Sequence, residues 1–543
     1  MPVPSAAQPV SWLANLKNDL FGGLTAAVVA LPLALAFGVA SGAGAIAGLY
    51  GAIAVGFFAA VFGGTPAQVS GPTGPMTVVM GAIVAQYAGN LPEAFTIVMF
   101  GGLIQIGFGA MGLGRYIAYT PVSVISGFMT GIGVIIIVIQ VLPLAGLPTA
   151  GGPVASVAAW HGLARAANWH ALAVGALSLA IVLGWPAAVR RFIPSPLAAL
   201  VIATLAAVFL FPDAPRLGEI PTGLPSLVIP VLDPGEMPRI LQAGFILAML
   251  GSIDSLLTSL IADQITRTRH DSDRELIGQG IGNVAAGLIG GLPGAGATMR
   301  TVVNVRAGGR SPLSGAIHAV VLAAVVLGLA PLAEPVPHAA LAGILIKVGW
   351  DIIDWGFLRR AHRAPREEVL VMAITLVLTV FVDLITAVAV GIILASFVTA
   401  RWIGKEEIRA IERVSIKDEG RIDAAEREVI RRAEGRIVLY RFAGSFSYAS
   451  ARELARVVAI DPQNEVIVLD FSDAGKIDLT AALAIEELVA TVRRGGNKVV
   501  IAGLSNAALK ALERLKALDQ IPAYKRFETR RQALDYAAKL PRR

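Results

Sequence analysis

The chain contains no cysteine, and only 15% of its 543 residues are charged. The first absence excludes disulfides and thiolate metal centres, and it fits a reducing cytoplasm. The second excludes an ordinary soluble protein, in which about a quarter of the residues carry charge. What fills the space is hydrophobic, at 55% of residues. Up to about Arg401, apolar runs long enough to cross a hydrocarbon core of ~30 Å follow one another with short loops. The first run, Leu20 to Val39, has no cleavage-site pattern and many successors, so it reads as a retained helix.

After Arg401 the composition turns to charged, alternating segments. The expected organisation is a cytoplasmic N-terminus over 1–18, a transmembrane transport domain over 19–404, a linker over 405–434 and a soluble domain over 435–543. The net charge of +7 raises the question of nucleic acid. The basic residues are instead grouped in alternate loops: Arg115, then Arg190 and Arg191, then Arg267 and Arg269, then Arg359, Arg360, Arg363 and Arg366. Lys17 precedes the first run, and Arg401 and Lys405 follow the last. The loops between, around Ala145–Ala158 and Phe211–Met237, are nearly free of Lys and Arg. That asymmetry places both termini in the cytoplasm and requires an even number of crossings. It is a topology signal, and no nucleic-acid partner is expected.

Hydropathy predicts spans near 21–39, 46–62, 73–88, 94–112, 121–143, 170–188 and 196–212. A second set falls near 240–262, 276–292, 298–307, 313–331, 334–348, 368–383 and 386–402. Fourteen spans in two sets of seven make the second set enter the membrane inverted. The third and tenth spans are interrupted alike. Gly63-Gly64-Thr65-Pro66 leads into Gly71-Pro72-Thr73-Gly74-Pro75-Met76-Thr77, and Gly290-Gly291-Leu292-Pro293 leads into Gly294-Ala295-Gly296-Ala297-Thr298-Met299-Arg300. Broken backbone is tolerated in a bilayer only where it lines a protein cavity. Corresponding breaks in two inverted halves point to a transporter's central site.

The half-helices starting near Thr73 and Thr298 aim free N–H groups and positive dipole ends at the midplane, where they bind an anion without a charged side chain. Arg300 lies just inside the second half-helix and adds a full positive charge, unless it is a snorkelling or topology residue. Asp254 sits mid-span on the eighth segment, with Thr258 one turn further along the same face. An intramembrane carboxylate points to function by default. Asp254 and Thr258 offer hard oxygens to a small cation, or a proton acceptor; Ser255 and Ser259 read equally as packing residues. No His or Cys accompanies them, so a metal-enzyme site is not supported. Gln105 and Asn283 read as interhelical hydrogen-bonding residues, His318 as a satisfied interhelical histidine, and Asp383 as a turn cap.

The tail reads as a small α/β domain. Strands are predicted at Arg436–Phe442, Val466–Phe471 and Lys498–Ala502, and helices at Ala449–Ala459, Thr480–Arg494, Ser505–Leu515 and Arg530–Leu540. It has no phosphate-cradling glycine loop and no His/Cys cluster, and Asp478 reads as an N-cap. No enzyme activity and no cofactor are expected.

These residues resemble the SulP family of anion transporters, and the tail is similar to its cytoplasmic STAS domain. Ala30-Leu31-Pro32-Leu33-Ala34-Leu35-Ala36-Phe37-Gly38, Gly278-Gln279-Gly280-Ile281-Gly282-Asn283, Gly294 to Met299 and Asp351-Ile352-Ile353-Asp354-Trp355-Gly356-Phe357-Leu358 carry the likeness. Within the family they are most similar to the cyanobacterial sodium-dependent bicarbonate branch. The resemblance implies a fourteen-span fold of core and gate domains moving as an elevator in the bacterial inner membrane, dimerising partly through STAS. It implies sodium at Asp254, Thr258, Gly296 and Thr298, and the anion at Thr73, Ala297 and Thr298. Arg300 departs from that branch, which carries glycine there, and matches other members whose arginine faces the anion. The expected function is therefore sodium-coupled bicarbonate uptake, with proton-coupled or exchange transport of sulfate or dicarboxylates as the alternative. An anion sensor signalling through the tail is a third reading, and Thr480 matches a phosphorylatable hydroxyl of some STAS domains.

Overall fold

The computed structural model describes residues 15–541 except 88–89, 118–120, 151, 191–192, 219–224, 232, 383, 410, 415–421, 445–464, 475–478, 495, 506–508, 511, 514–515, 517 and 520. It divides into two compact units, Met1–Ala395 and Ser396–Arg543.

Each predicted span coincides with a helix. These are α1 (Leu16–Ala40), α2 (Ala45–Phe62), α3 (Gly74–Gln86), α4 (Leu91–Ala110), α5 (Val122–Leu144), α6 (Trp169–Gly184) and α7 (Ser195–Phe209). The second set is α8 (Met237–Thr266), α9 (Ser272–Leu288), α10 (Thr298–Arg306), α11 (Pro312–Leu329), α12 (His338–Ile352), α13 (Arg366–Phe381) and α14 (Leu384–Arg409). Five of them (α1, α2, α4, α5 and α8) are long and apolar enough to cross a membrane on their own. α3 and α10 span only 13 and 9 residues.

Packing sorts the helices into two groups. α9 lies against α4 and α2, α11 against α2 and α1, and α8 against α4; α12 lies against α5 and α6, and α13 against α5. The first group is a core of α1–α4 and α8–α11, and the second contains α5–α7, α12 and α13. Small residues permit the close approach, since lipid supplies no hydrophobic drive between helices. The broken segments meet at the centre of the core group. Two-residue strands β1 (Ser70–Gly71) and β2 (Ala295–Gly296) pair antiparallel, with Ser70 opposite Gly296 and Gly71 opposite Ala295. Backbone that neither half-helix can satisfy is thereby satisfied across the two halves.

In the tail unit, β3 (Ile411–Val414), β4 (Ile437–Gly444), β5 (Val466–Ala474), β6 (Lys498–Ala502) and β7 (Arg526–Phe527) form one sheet in that order. β3 is antiparallel to β4 and the remaining pairs are parallel. Strand alternation sends Val438, Tyr440, Phe442, Ile467 and Leu469 to one face, under Ile485, Leu488 and Val489 of α16 (Leu479–Arg494). Ile437, Leu439, Val466 and Val468 face the other way, against Ile430 of α15 (Ala424–Arg432) and Ala533 and Leu534 of α17 (Arg530–Lys539).

Residues 405–434, expected as a linker, thus contain an edge strand and a helix. α15 starts at a capping box in which Asp423 and Glu426 satisfy each other's backbone N–H. Its charged exterior hid an apolar side that rests on the sheet. The predicted helix Ala449–Ala459 and Asp478 lie outside the described residues, as does Asp383, and the predicted helix Ser505–Leu515 lies partly outside them.

Arg530 joins α17 to α15 and β5. Its guanidinium donates to both Glu426 oxygens at 2.9 Å and lies 3.5 Å from the buried Asp470. Replacing Arg530 with Met strands a buried carboxylate pair, which costs ~3–5 kcal/mol. Limited proteolysis of the full chain should then release the tail well before the wild type does, and equal protection would show that the arginine is not needed.

Candidate functional site

The site is built on α8 and on the starts of α3 and α10. At thirty residues, α8 is long enough to carry a carboxylate to mid-span. Thr73 is the N-cap of α3, but its side chain does not cap its own helix. Its hydroxyl donates instead to Asp254 Oδ2 at 2.8 Å. The first N–H groups of α3 therefore have neither an intrahelical partner nor the threonine. One turn beyond Asp254, the Thr258 hydroxyl donates to the Gly296 carbonyl at 2.9 Å and lies 2.8 Å from the Thr298 hydroxyl. Ser255 receives the Gly296 N–H at 3.0 Å, so it is a holding residue.

The Asp254–Thr73 bond and, one turn along α8, the contacts of Thr258 with Gly296 and Thr298 thus tie α8 to the starts of both half-helices. Ala297 is the N-cap of α10, and its own N–H is bound by the Val69 carbonyl at 2.9 Å. Thr298 is half-buried and the adjoining Met299 is 62% exposed, so this end of α10 opens outward from the packed protein.

Arg300 is buried at 3% exposure, which rules out the snorkelling reading. Its Nη2 donates to the Pro72 carbonyl at 2.6 Å, which holds the guanidinium at the crossing, just before α3. A Cβ on Gly71 would lie 2.8 Å from Nη1, so the backbone needs glycine to admit the arginine so closely. The charge reaches the crossing from the second half of the chain and sits on a carbonyl of the first.

Other side chains close the broken backbone. Asn283 donates to Gln105 and to the Gly294 carbonyl and accepts the Gly294 N–H at 2.8 Å, as its interhelical reading expects. Thr301 accepts the Val69 N–H at 3.0 Å, and Asn304 donates to the Ala67 carbonyl at 2.9 Å. His318 differs from expectation. Both of its ring nitrogens are buried without a hydrogen-bond partner among the described residues, so it is not a satisfied interhelical histidine.

Glu275 escapes the sequence reading altogether. Three residues after Ser272, it has the place of an ordinary first-turn acid, yet it is 1% exposed. Thr480 falls in the first turn of α16, with its side chain outside the described residues. Among those residues, no group of three or more His, Cys, Asp or Glu is placed to hold a metal ion.

The sequence pattern of the sulfate permease family matches residues 16–375, and that of the STAS domain matches 428–533. The chain is 44% identical over 538 residues to the bicarbonate transporter BicA of Picosynechococcus sp., across 96% of this chain and 95% of that one. It is also 44% identical over 529 residues to the bicarbonate transporter BicA of Synechocystis sp., across 96% and 94%. Among solved structures, the transmembrane domain of a cyanobacterium bicarbonate transporter BicA matches 70% of this chain and 98% of its own, at TM-score 0.67 and 52% identity. The overall structure of SLC26A9 matches 97% of this chain and 91% of its own at TM-score 0.81 and 19% identity, a likeness of fold.

Asn283 carries a local prediction. Asn283→Leu leaves the Gly294 N–H and carbonyl buried and unpaired, at ~1–3 kcal/mol for each group. The purified protein should melt several degrees lower; an unchanged melting curve would show that Gly294 finds other partners.

Proposed function

The chain belongs to the sulfate permease family of anion transporters, and on that premise we propose that it takes up bicarbonate with sodium as the coupling ion. The observation that carries this reading is that α8 bonds to both half-helix starts one turn apart: Asp254 to Thr73 before α3, and Thr258 to the Gly296 carbonyl and the Thr298 hydroxyl at α10. One carboxylate among neutral oxygens suits a small hard cation. The N–H groups at the starts of α3 and α10 suit a small oxyanion beside it. The relatives named for bicarbonate transport, 44% identical along nearly their whole length, support that substrate. Sodium at Asp254, Thr258, Gly296 and Thr298 then draws the anion toward Thr73, Ala297 and Thr298. An elevator movement of the core group against the other helices carries both ions across. The chain works as a homodimer in the bacterial cytoplasmic membrane, with both termini inside and STAS contributing to the dimer.

Buried Arg300 favours a second reading. A fixed positive charge replaces the cation as the anion's counter-charge, leaves Asp254 to carry a proton, and suits sulfate or a dicarboxylate.

Uptake of labelled bicarbonate and sulfate into proteoliposomes at clamped potential separates the two. The first reading predicts bicarbonate uptake that rises with inward sodium and falls at least about tenfold in Asp254→Asn, the cost of removing one partner of a charge-assisted site. Sodium-independent sulfate uptake, stimulated by acid and lost in Arg300→Gly, would replace it with the second. The topology is tested separately, in intact cells and in inside-out membrane vesicles. The absence of native cysteine makes Arg363→Cys a single label site, and an impermeant maleimide should reach it only from the cytoplasmic face. Labelling from outside intact cells would invert the assignment.

A further inference from the structure

Glu275 is not used by the transport reading, yet each of its carboxylate oxygens accepts two hydrogen bonds. Oε2 accepts the Gly64 and Thr65 N–H groups, both at 2.9 Å. Oε1 accepts Gln68 Nε2 at 2.7 Å and Gln279 Nε2 at 2.8 Å. All four partners are donors, and an ionised carboxylate, being acceptor-only, answers all four.

These contacts lead to the candidate cation site along two routes. Gln68, held by Glu275 at its nitrogen, accepts the Ser259 hydroxyl at 3.0 Å at its oxygen. Its amide closes over Gly296, where a Cβ would come within 2.4 Å of Gln68 Nε2. Gln279 also donates to the Ser70 hydroxyl at 2.6 Å, and Ser70 is the strand partner of Gly296. Gly296 is thus pressed between Gln68 and Ser255 on α8, and its carbonyl is the one that meets Thr258.

We propose that Glu275 is a positioning residue for the cation site: it fixes the loop from Gly64 to Ser70, and through Gln68 and Ser70 sets where the Gly296 carbonyl stands. Glu275 touches neither ion. It acts as a charged anchor on α9 for backbone that contributes the Gly296 oxygen. This inference rests on the cation reading given above.

The test is bicarbonate uptake by the full chain in proteoliposomes, titrated with sodium and, separately, with bicarbonate. An amide at 275 must turn its nitrogen toward one pair of donors, so Glu275→Gln keeps at most two of the four bonds. It should raise half-saturating sodium about tenfold or more, while the maximal rate at saturating sodium stays within about twofold, as expected for partners lying behind ion ligands. Gln68→Ala leaves the other three bonds to Glu275 and should shift half-saturation in the same direction. It also serves if Glu275→Gln does not fold.

Unchanged half-saturation for both ions in a folded variant would overturn the proposal. So would an unchanged sodium response with a flattened pH profile in Glu275→Gln, which would make Glu275 a proton carrier. If wild-type uptake ignores sodium, the cation reading fails by itself. The anchor is then judged from bicarbonate half-saturation: a rise in Glu275→Gln supports it, and no change overturns it.

Discussion

Hydrocarbon does not solvate an amide, and the architecture of the membrane unit answers that constraint. Two spans stop half-way, and each leaves several residues of extended backbone at a depth where an unpaired N–H or carbonyl costs several kcal/mol. The pairing of Ser70 and Gly71 with Gly296 and Ala295 removes part of that cost. Asn283, Thr301, Asn304 and Glu275 remove more, each reaching across to a loop. Polar groups are dense here because the backbone requires partners, and only then because the site requires ligands. The half-helix starts keep N–H groups without intrahelical partners, the kind of donor the proposed anion would use.

The charges near these starts can be weighed. Two helix ends contribute roughly half a positive charge each, and Arg300 contributes one. Asp254 opposes one of these. On the transport reading proposed above, with Glu275 as the charged anchor behind the site, the surroundings would come close to neutral before any ion arrives, and a monovalent anion would be balanced by one monovalent cation. With a proton on Glu275 the same sum would leave about one excess positive charge, and the anion would be balanced alone.

Much of this was legible in the sequence because two signals were strong. Apolar runs located most of the fourteen helices, and the matched Gly/Pro interruptions located the crossing and the short α10 that starts there. Asp254 was legible since a charge in the middle of α8 has no other ready explanation. Glu275 was not, because an acid in the first turn of a helix is so often a helix-dipole residue. Nothing local distinguishes one that faces solvent from one that faces Gly64, Thr65 and Gln68. Gln68 and Ser70 were hidden for a related reason: their partners lie on α8, α9 and β2, far away in the chain. The edge strand β3 and helix α15 were read as linker because their charged sides dominate a short segment, and the sheet that receives them is elsewhere in the sequence.

The crossing also sets an order in time. Val69 and its partner Thr301 are 232 residues apart. At typical synthesis rates of 5–20 residues per second, the earlier segment waits roughly ten to fifty seconds for the later one to leave the ribosome. During that interval the first broken span is in the bilayer, or beside it, with its carbonyls and N–H groups unanswered. The nascent protein is then most exposed to mispairing and to surveillance by the cell's quality-control machinery. The same backbone breaks that make transport feasible leave the first half of the chain dependent on the second to finish folding.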